Sequence, residues 1–127
     1  MKYNYDEIEK LEASVGGYFG TSFDVTIDFK LNLFEWSSVE HSVESMPKSK
    51  KGHIDFTKVE KSKFIATNIL CWKDRYENEL RIMDGTSWGV KITFKDHLIQ
   101  KSGSNSFPNE WSLFCKFIEE ITGESFR

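Results

Sequence analysis

The sequence predicts an α+β fold in a single domain, 1–127, with a mostly antiparallel sheet of about five to six strands packed by two helices, at about 57–70 and 108–122. Three observations carry this expectation. Phe23 to Leu31 alternates apolar and polar residues without a fault, as a half-buried strand does. Trp88, Val90, Ile92 and Phe94 repeat the same two-residue period. Trp111, Phe114, Ile118 and Ile121 recur at three- and four-residue steps, the apolar stripe of an amphipathic helix.

From the N-terminus, Ile8 to Val15 satisfies two periods. Tyr5, Ile8, Leu11 and Val15 fit a helix, whereas Leu11, Ala13 and Val15 fit a strand; the Gly16-Gly17 pair that follows favours the strand. Phe23, Val25, Ile27 and Phe29 then face the core, and Leu33 to Val39 pairs back through Asn32, a residue that tolerates positive φ. Residues 40–55 are polar, contain Pro47 and a lysine run, and read as a loop.

Thr57-Lys58-Val59-Glu60 has the capping-box pattern and opens the first helix, with Val59, Phe64, Ala66 and Ile69 or Leu70 as its apolar face and Asn68 as a weak point. A meander is expected over 79–102: Leu80 to Met83, a turn at Asp84-Gly85, Trp88 to Phe94, a turn at Lys95-Asp96, then His97 to Lys101. Pro108 sits near the first turn of the last helix and Gly123 ends it.

Composition bounds the function. Aromatic residues make up 15% of the 127 residues and charged residues 29%, with both signs interspersed, so a folded domain with a core of few, large side chains is expected. A net charge of −3 argues against a general nucleic-acid binder. One local exception is Lys48, Lys50, Lys51, Lys58, Lys61 and Lys63, read as a solvated face or, alternatively, a patch for an acidic partner. Met1 to Glu7 has no apolar h-region and no run approaches a membrane span, which makes the cytoplasm the expected location. Cys71 and Cys115 read as buried free thiols of a reducing compartment.

No catalytic pattern emerges. There is no G-x-S-x-G elbow, no phosphate loop and no metal-ligand spacing among His41, His53 and His97, so no cofactor or metal is expected. One ligand candidate is the run Lys101, Ser102, Gly103, Ser104 and Asn105, small polar residues leading to a helix N-terminus where an anion is favoured; the plainer reading is an ordinary strand-to-helix loop. Trp36, Trp72, Trp88 and Trp111 with Tyr76 read as core aromatics or, if open to solvent, as a stacking cage or a partner-binding hot spot.

Trp72-x-x-x-Tyr76, Asp84-Gly85-Thr86-x-Trp88 and Gly103-x-Asn105-x-x-Pro108-x-x-Trp111 together resemble a pattern in a group of small bacterial proteins of uncharacterised activity. The resemblance implies a bacterial source and a structural role for Asp84, Gly85, Thr86, Trp88, Pro108 and Trp111, and it supplies no mechanism. The expected function is a non-catalytic protein-interaction module of immunity or inhibitor type. Its partner is an unknown protein, or a second copy of the chain meeting the Phe23–Val39 region as a sheet edge. The alternative is a small-molecule or anion-binding domain, or an enzyme, with its site at 101–108.

Overall fold

A computed structural model describes residues 4–17, 20–41, 46–77 and 85–127. Among them, one sheet is built from β1 (Lys10–Gly17), β2 (Thr21–Asp28), β3 (Leu33–Glu40), β4 (Lys48–His53), β5 (Arg75–Glu77), β6 (Thr86–Thr93) and β7 (Leu98–Ser104), in the spatial order β4-β3-β2-β1-β6-β7-β5. Every neighbouring pair is antiparallel except β5 with β7. Two helices, α1 (Lys58–Ala66) and α2 (Trp111–Thr122), join it to make an α+β fold. None of the described helices is long and apolar enough to cross a membrane.

The N-terminal ambiguity resolves in favour of the strand. A 3₁₀ turn at Tyr5–Glu7 precedes β1, which lies at the centre of the sheet with Leu11, Ala13 and Val15 buried. The β2–β3 hairpin forms as expected: Asn32 takes the left-handed conformation at φ 55°, and Asp28 Oδ1 accepts from the amides of Lys30 and Leu31 at 2.9 and 3.0 Å. Two interior strands result, so the Phe23–Val39 segment is not a sheet edge. The edges are β4 and β5.

Several further expectations need correction. The region read as a loop over 40–55 contains β4, whose Lys-Ser-Lys-Lys-Gly-His sequence has no apolar period because an edge strand need bury neither face. Helix α1 stops at Ala66, where Asn68 turns left-handed at φ 57°, and a 3₁₀ turn at Ile69–Cys71 follows. In α1 only Phe64 is buried; Val59 and Ile65 are exposed. Cys71 is exposed, whereas Cys115 is buried, and both are free. Pro108 lies ahead of α2, in the turn closed by the Trp111 amide on the Pro108 carbonyl at 3.1 Å. Leu80 to Met83 and Asp84 fall outside the described residues. The strand preceding them, β5, runs parallel to β7 and does not pair with β6.

Phe64 joins the two helices by stacking on Phe117 at 4.8 Å between centroids and 11° between planes. It also stacks on Phe29, at 5.4 Å. Gly123 at φ 74° closes α2, and the chain then folds back so that Phe126 is fully buried and the Trp36 indole N–H donates to the Ser125 carbonyl at 2.7 Å. The core therefore lies on one face of the sheet, under both helices and the C-terminal tail. The opposite face carries the alternate residues of the same strands and, among the described residues, no helix, as an antiparallel sheet allows.

Candidate functional site

The 101–105 run does not converge on one site, because strand alternation sends its residues to opposite faces. Lys101 points into the core and is only 5% exposed; its ammonium donates to the Trp72 carbonyl, with Asp74 Oδ1 at 4.0 Å. Burial lowers its pKa, opposed by the Asp74 carboxylate. Gly103 shares that core side, and a β-carbon there would overlap the Trp88 indole nitrogen and stand 2.6 Å from the Ser106 carbonyl oxygen. Ser102 and Ser104 project from the other face. Asn105 is left-handed at φ 55°, its Oδ1 accepts from the Thr86 amide at 2.8 Å, and its own amide donates to the Thr86 carbonyl at 2.8 Å. The entry to α2 carries Glu110, an acidic residue where an anion would dock.

The same geometry accounts for the tryptophan–glycine pattern. Gly85 leaves room for the Asn105 side chain, which a β-carbon would overlap. It is the backbone of Thr86, not its hydroxyl, that Asn105 holds. The Trp88 indole N–H donates to the Ser106 carbonyl at 2.9 Å across Gly103. Trp88 meets Trp111 at 5.1 Å, Trp72 at 5.6 Å and Tyr76 at 5.8 Å. Trp72 and Trp88 are buried and Trp111 half-buried, so these aromatics are core. Trp36 packs separately, beside Phe23.

Four of the six clustered lysines are answered by carboxylates. Lys50 pairs with Glu124 at 3.0 Å, Lys51 with Glu35 at 3.5 Å, Lys61 with Asp6, and Lys63 with Glu120 at 2.6 Å. The last pair raises the Lys63 pKa and lowers that of Glu120 through their hydrogen bond. Lys48 and Lys58 have no ion pair among the described residues. The six do not present a continuous positive field.

The surface that sequence reasoning missed is the bare face of the sheet. Register pairing sets one row of residues across all seven strands: Ser49, Ser37, Asp24, Ser14, Gly89, Ser102 and Arg75. The serines and Gly89, all small, make the middle of this row the floor of a trough, with Arg75 at its end. Three depressions, of about 570, 410 and 160 Å³, adjoin along it, and Asp24 lines all three. A neighbouring row forms a wall of Lys51, Glu35, Thr26, Glu12, Lys91 and Gln100. Its charges pair along the row, Lys51 with Glu35 and Lys91 with Glu12 at 3.9 Å. Asp24 has no ion pair among the described residues. Each strand's pattern of exposed small polar residues was visible in the sequence, but their alignment depends on the strand order.

The chain matches no protein-family model and no curated protein sequence.

A second concavity, of about 590 Å³, lies where Tyr5–Glu9, the β2 end, α1 and the β6–β7 turn meet. Phe29, Phe56, Phe64 and Phe94 line it, and charged residues of both signs surround them. Tyr5 is anchored there: its hydroxyl accepts from the Leu70 amide at 3.3 Å, and burial raises its pKa. Among the described residues no three His, Cys, Asp or Glu side chains group as a metal site would require.

Proposed function

We propose that this chain is a non-catalytic protein-interaction module, of the kind that immunity and inhibitor proteins represent, and that its partner docks on the bare face of the sheet. The observation that carries the reading is the trough itself: three adjoining depressions share Asp24 on a serine- and glycine-lined floor. Seven strands at ~4.8 Å spacing span about 29 Å, and an eight-residue strand runs roughly 23 Å, so the face approaches the ~800 Å² that each partner of a standard interface contributes. Small side chains also favour close approach by another backbone, and their ordering costs little entropy.

The test is affinity capture with wild type and Gly89→Gln as baits. A β-carbon at Gly89 meets only Ser14 Oγ, at 3.6 Å, so the longer side chain fills the trough without disturbing the core. A protein held by wild type and released from Gly89→Gln supports the reading. Equal retention by both baits overturns it.

A small-molecule site is a second reading, favoured by the phenylalanine-lined concavity of about 590 Å³, which falls in the usual size range for ligand pockets. A metabolite that raises Tm for wild type but not for Phe56→Arg would move the function there.

A further inference from the structure

We propose that the residue the trough recognises is an arginine of the partner, its guanidinium held by Asp24. This rests on the bare-face reading above and names the chemistry at its centre. Asp24 occupies an interior strand, directly opposite Ser14 on one side and Ser37 on the other. Its own strand places Thr26 two residues away on the same face and, two residues the other way, Ser22, whose hydroxyl is hydrogen-bonded to His41 Nε2 at 2.7 Å. Directly opposed β-carbons stand about 4.5–5.5 Å apart, so hydroxyls flank the carboxylate on both neighbouring strands.

That constellation suits a guanidinium. A carboxylate accepts two parallel N–H bonds in the planar fork geometry of arginine, and the remaining N–H groups need neutral acceptors nearby, which serine and threonine hydroxyls supply. Charge complementarity selects a cation over an anion. The wall pairs Lys51–Glu35 and Lys91–Glu12 cancel, and Arg75 at the end of the floor pairs with Glu77 at 3.6 Å, so among the described residues Asp24 is the carboxylate without an ion pair where the depressions meet. The floor carries no aromatic ring, so nothing in it stacks on a base or a sugar. With Gly89 one strand beyond Ser14, there is depth for the residues flanking the arginine to lie flat.

The experiment is a ¹⁵N NMR titration of the full chain with a capped Gly-Ser-Arg-Ser-Gly peptide, run beside the same peptide with citrulline, the neutral isostere, in place of arginine. The arginine peptide is expected to shift the amides of Ser14, Asp24, Ser37 and Gly89, weakening steeply with salt, and citrulline is not. Asp24→Asn should weaken binding about tenfold, the usual worth of a charge-assisted hydrogen bond. Equal shifts from both peptides, or an Asp24→Asn variant that binds like wild type, overturn the arginine assignment while leaving the bare face as a docking surface. Shifts confined to Glu7, Glu9 and Asp96 overturn the arginine assignment by placing the cation at the phenylalanine-lined concavity instead. No shift at millimolar peptide overturns the arginine assignment, and the Gly89→Gln capture experiment then decides the docking surface separately.

Discussion

Asn105 holds Thr86 by both ends of its backbone: the side-chain oxygen accepts from the Thr86 amide and the Asn105 amide donates to the Thr86 carbonyl, each at 2.8 Å. The strand-to-helix loop is thereby tied to the start of β6, and Gly85 exists to admit the amide side chain. Asn105→Ala removes the acceptor and leaves a β-carbon residue at φ 55°, so it should destabilise by about 2–3 kcal/mol. Asn105→Gly relieves the backbone and should cost less. Gly85→Ala should cost about 1–3 kcal/mol through overlap. Urea unfolding followed by tryptophan fluorescence reads all three, and values within 0.5 kcal/mol of wild type, on the order of a neutral surface change, would refute the clamp.

Gly103 is hemmed in by the buried Trp88 indole and by the Ser106 backbone carbonyl, neither of which can swing away freely. A β-carbon there meets the Ser106 carbonyl oxygen at 2.6 Å, and that oxygen is fixed by the Trp88 indole N–H. Gly103→Ala should therefore cost about 3 kcal/mol, a large share of the roughly 5–15 kcal/mol that holds a domain together. Trp88→Phe removes the donor but keeps most of the ring, and about 1–2 kcal/mol is expected. Thermal unfolding of the two variants should rank them in that order.

Lys101 makes a prediction in pH. Its folded pKa is lowered by burial, so between that value and the unfolded value near 10.4 the unfolded chain binds more protons than the folded one. Stability contributed at this residue therefore rises as pH increases through that window, and the ammonium form is the less favourable one below it. Lys101→Met should abolish the effect. The difference in unfolding free energy, wild type minus variant, should grow from neutral pH toward about 10.4. Parallel profiles would show that the lysine is solvated in the folded state.

The two thiols should behave oppositely. Cys71 is exposed, whereas Cys115 is buried on α2 with its pKa pushed up to about 12 by burial. A thiol-titrating disulfide reagent should modify one cysteine quickly in native protein and the second only on unfolding, since the thiolate is the reactive form. Cys71→Ser should remove the fast phase. Two fast equivalents would place Cys115 outside the core.

The hairpin of β2 and β3, strand β6 and helix α2 were legible because each buries one face and writes its period into the sequence. Strand β4 was not, since an edge strand of lysine, serine and glycine has no apolar period to read. Helix α1 misled in a different way: its capping threonine works, with Thr57 Oγ1 accepting from the Glu60 amide at 3.3 Å, yet only Phe64 reaches the core. The lysine cluster was correct as composition and incomplete as electrostatics, because its partners Glu120 and Glu124 lie far along the chain. The 101–105 run looked like one polar site because a linear sequence hides which residues share a face of a strand.

By itself, the sequence determined the elements whose burial is periodic, the turn at Asn32, the stop at Gly123 and the aromatic character of the core. Those are local properties, set by side-chain alternation and backbone conformation within a few residues. Only the tertiary structure decided that β1 is central, that Lys101 is buried against Trp72, and that Asp24, Ser14, Ser37 and Gly89 stand side by side on the bare face. Strand order and register bring together residues from distant parts of the chain, and no period within any one segment encodes which strand will lie beside it.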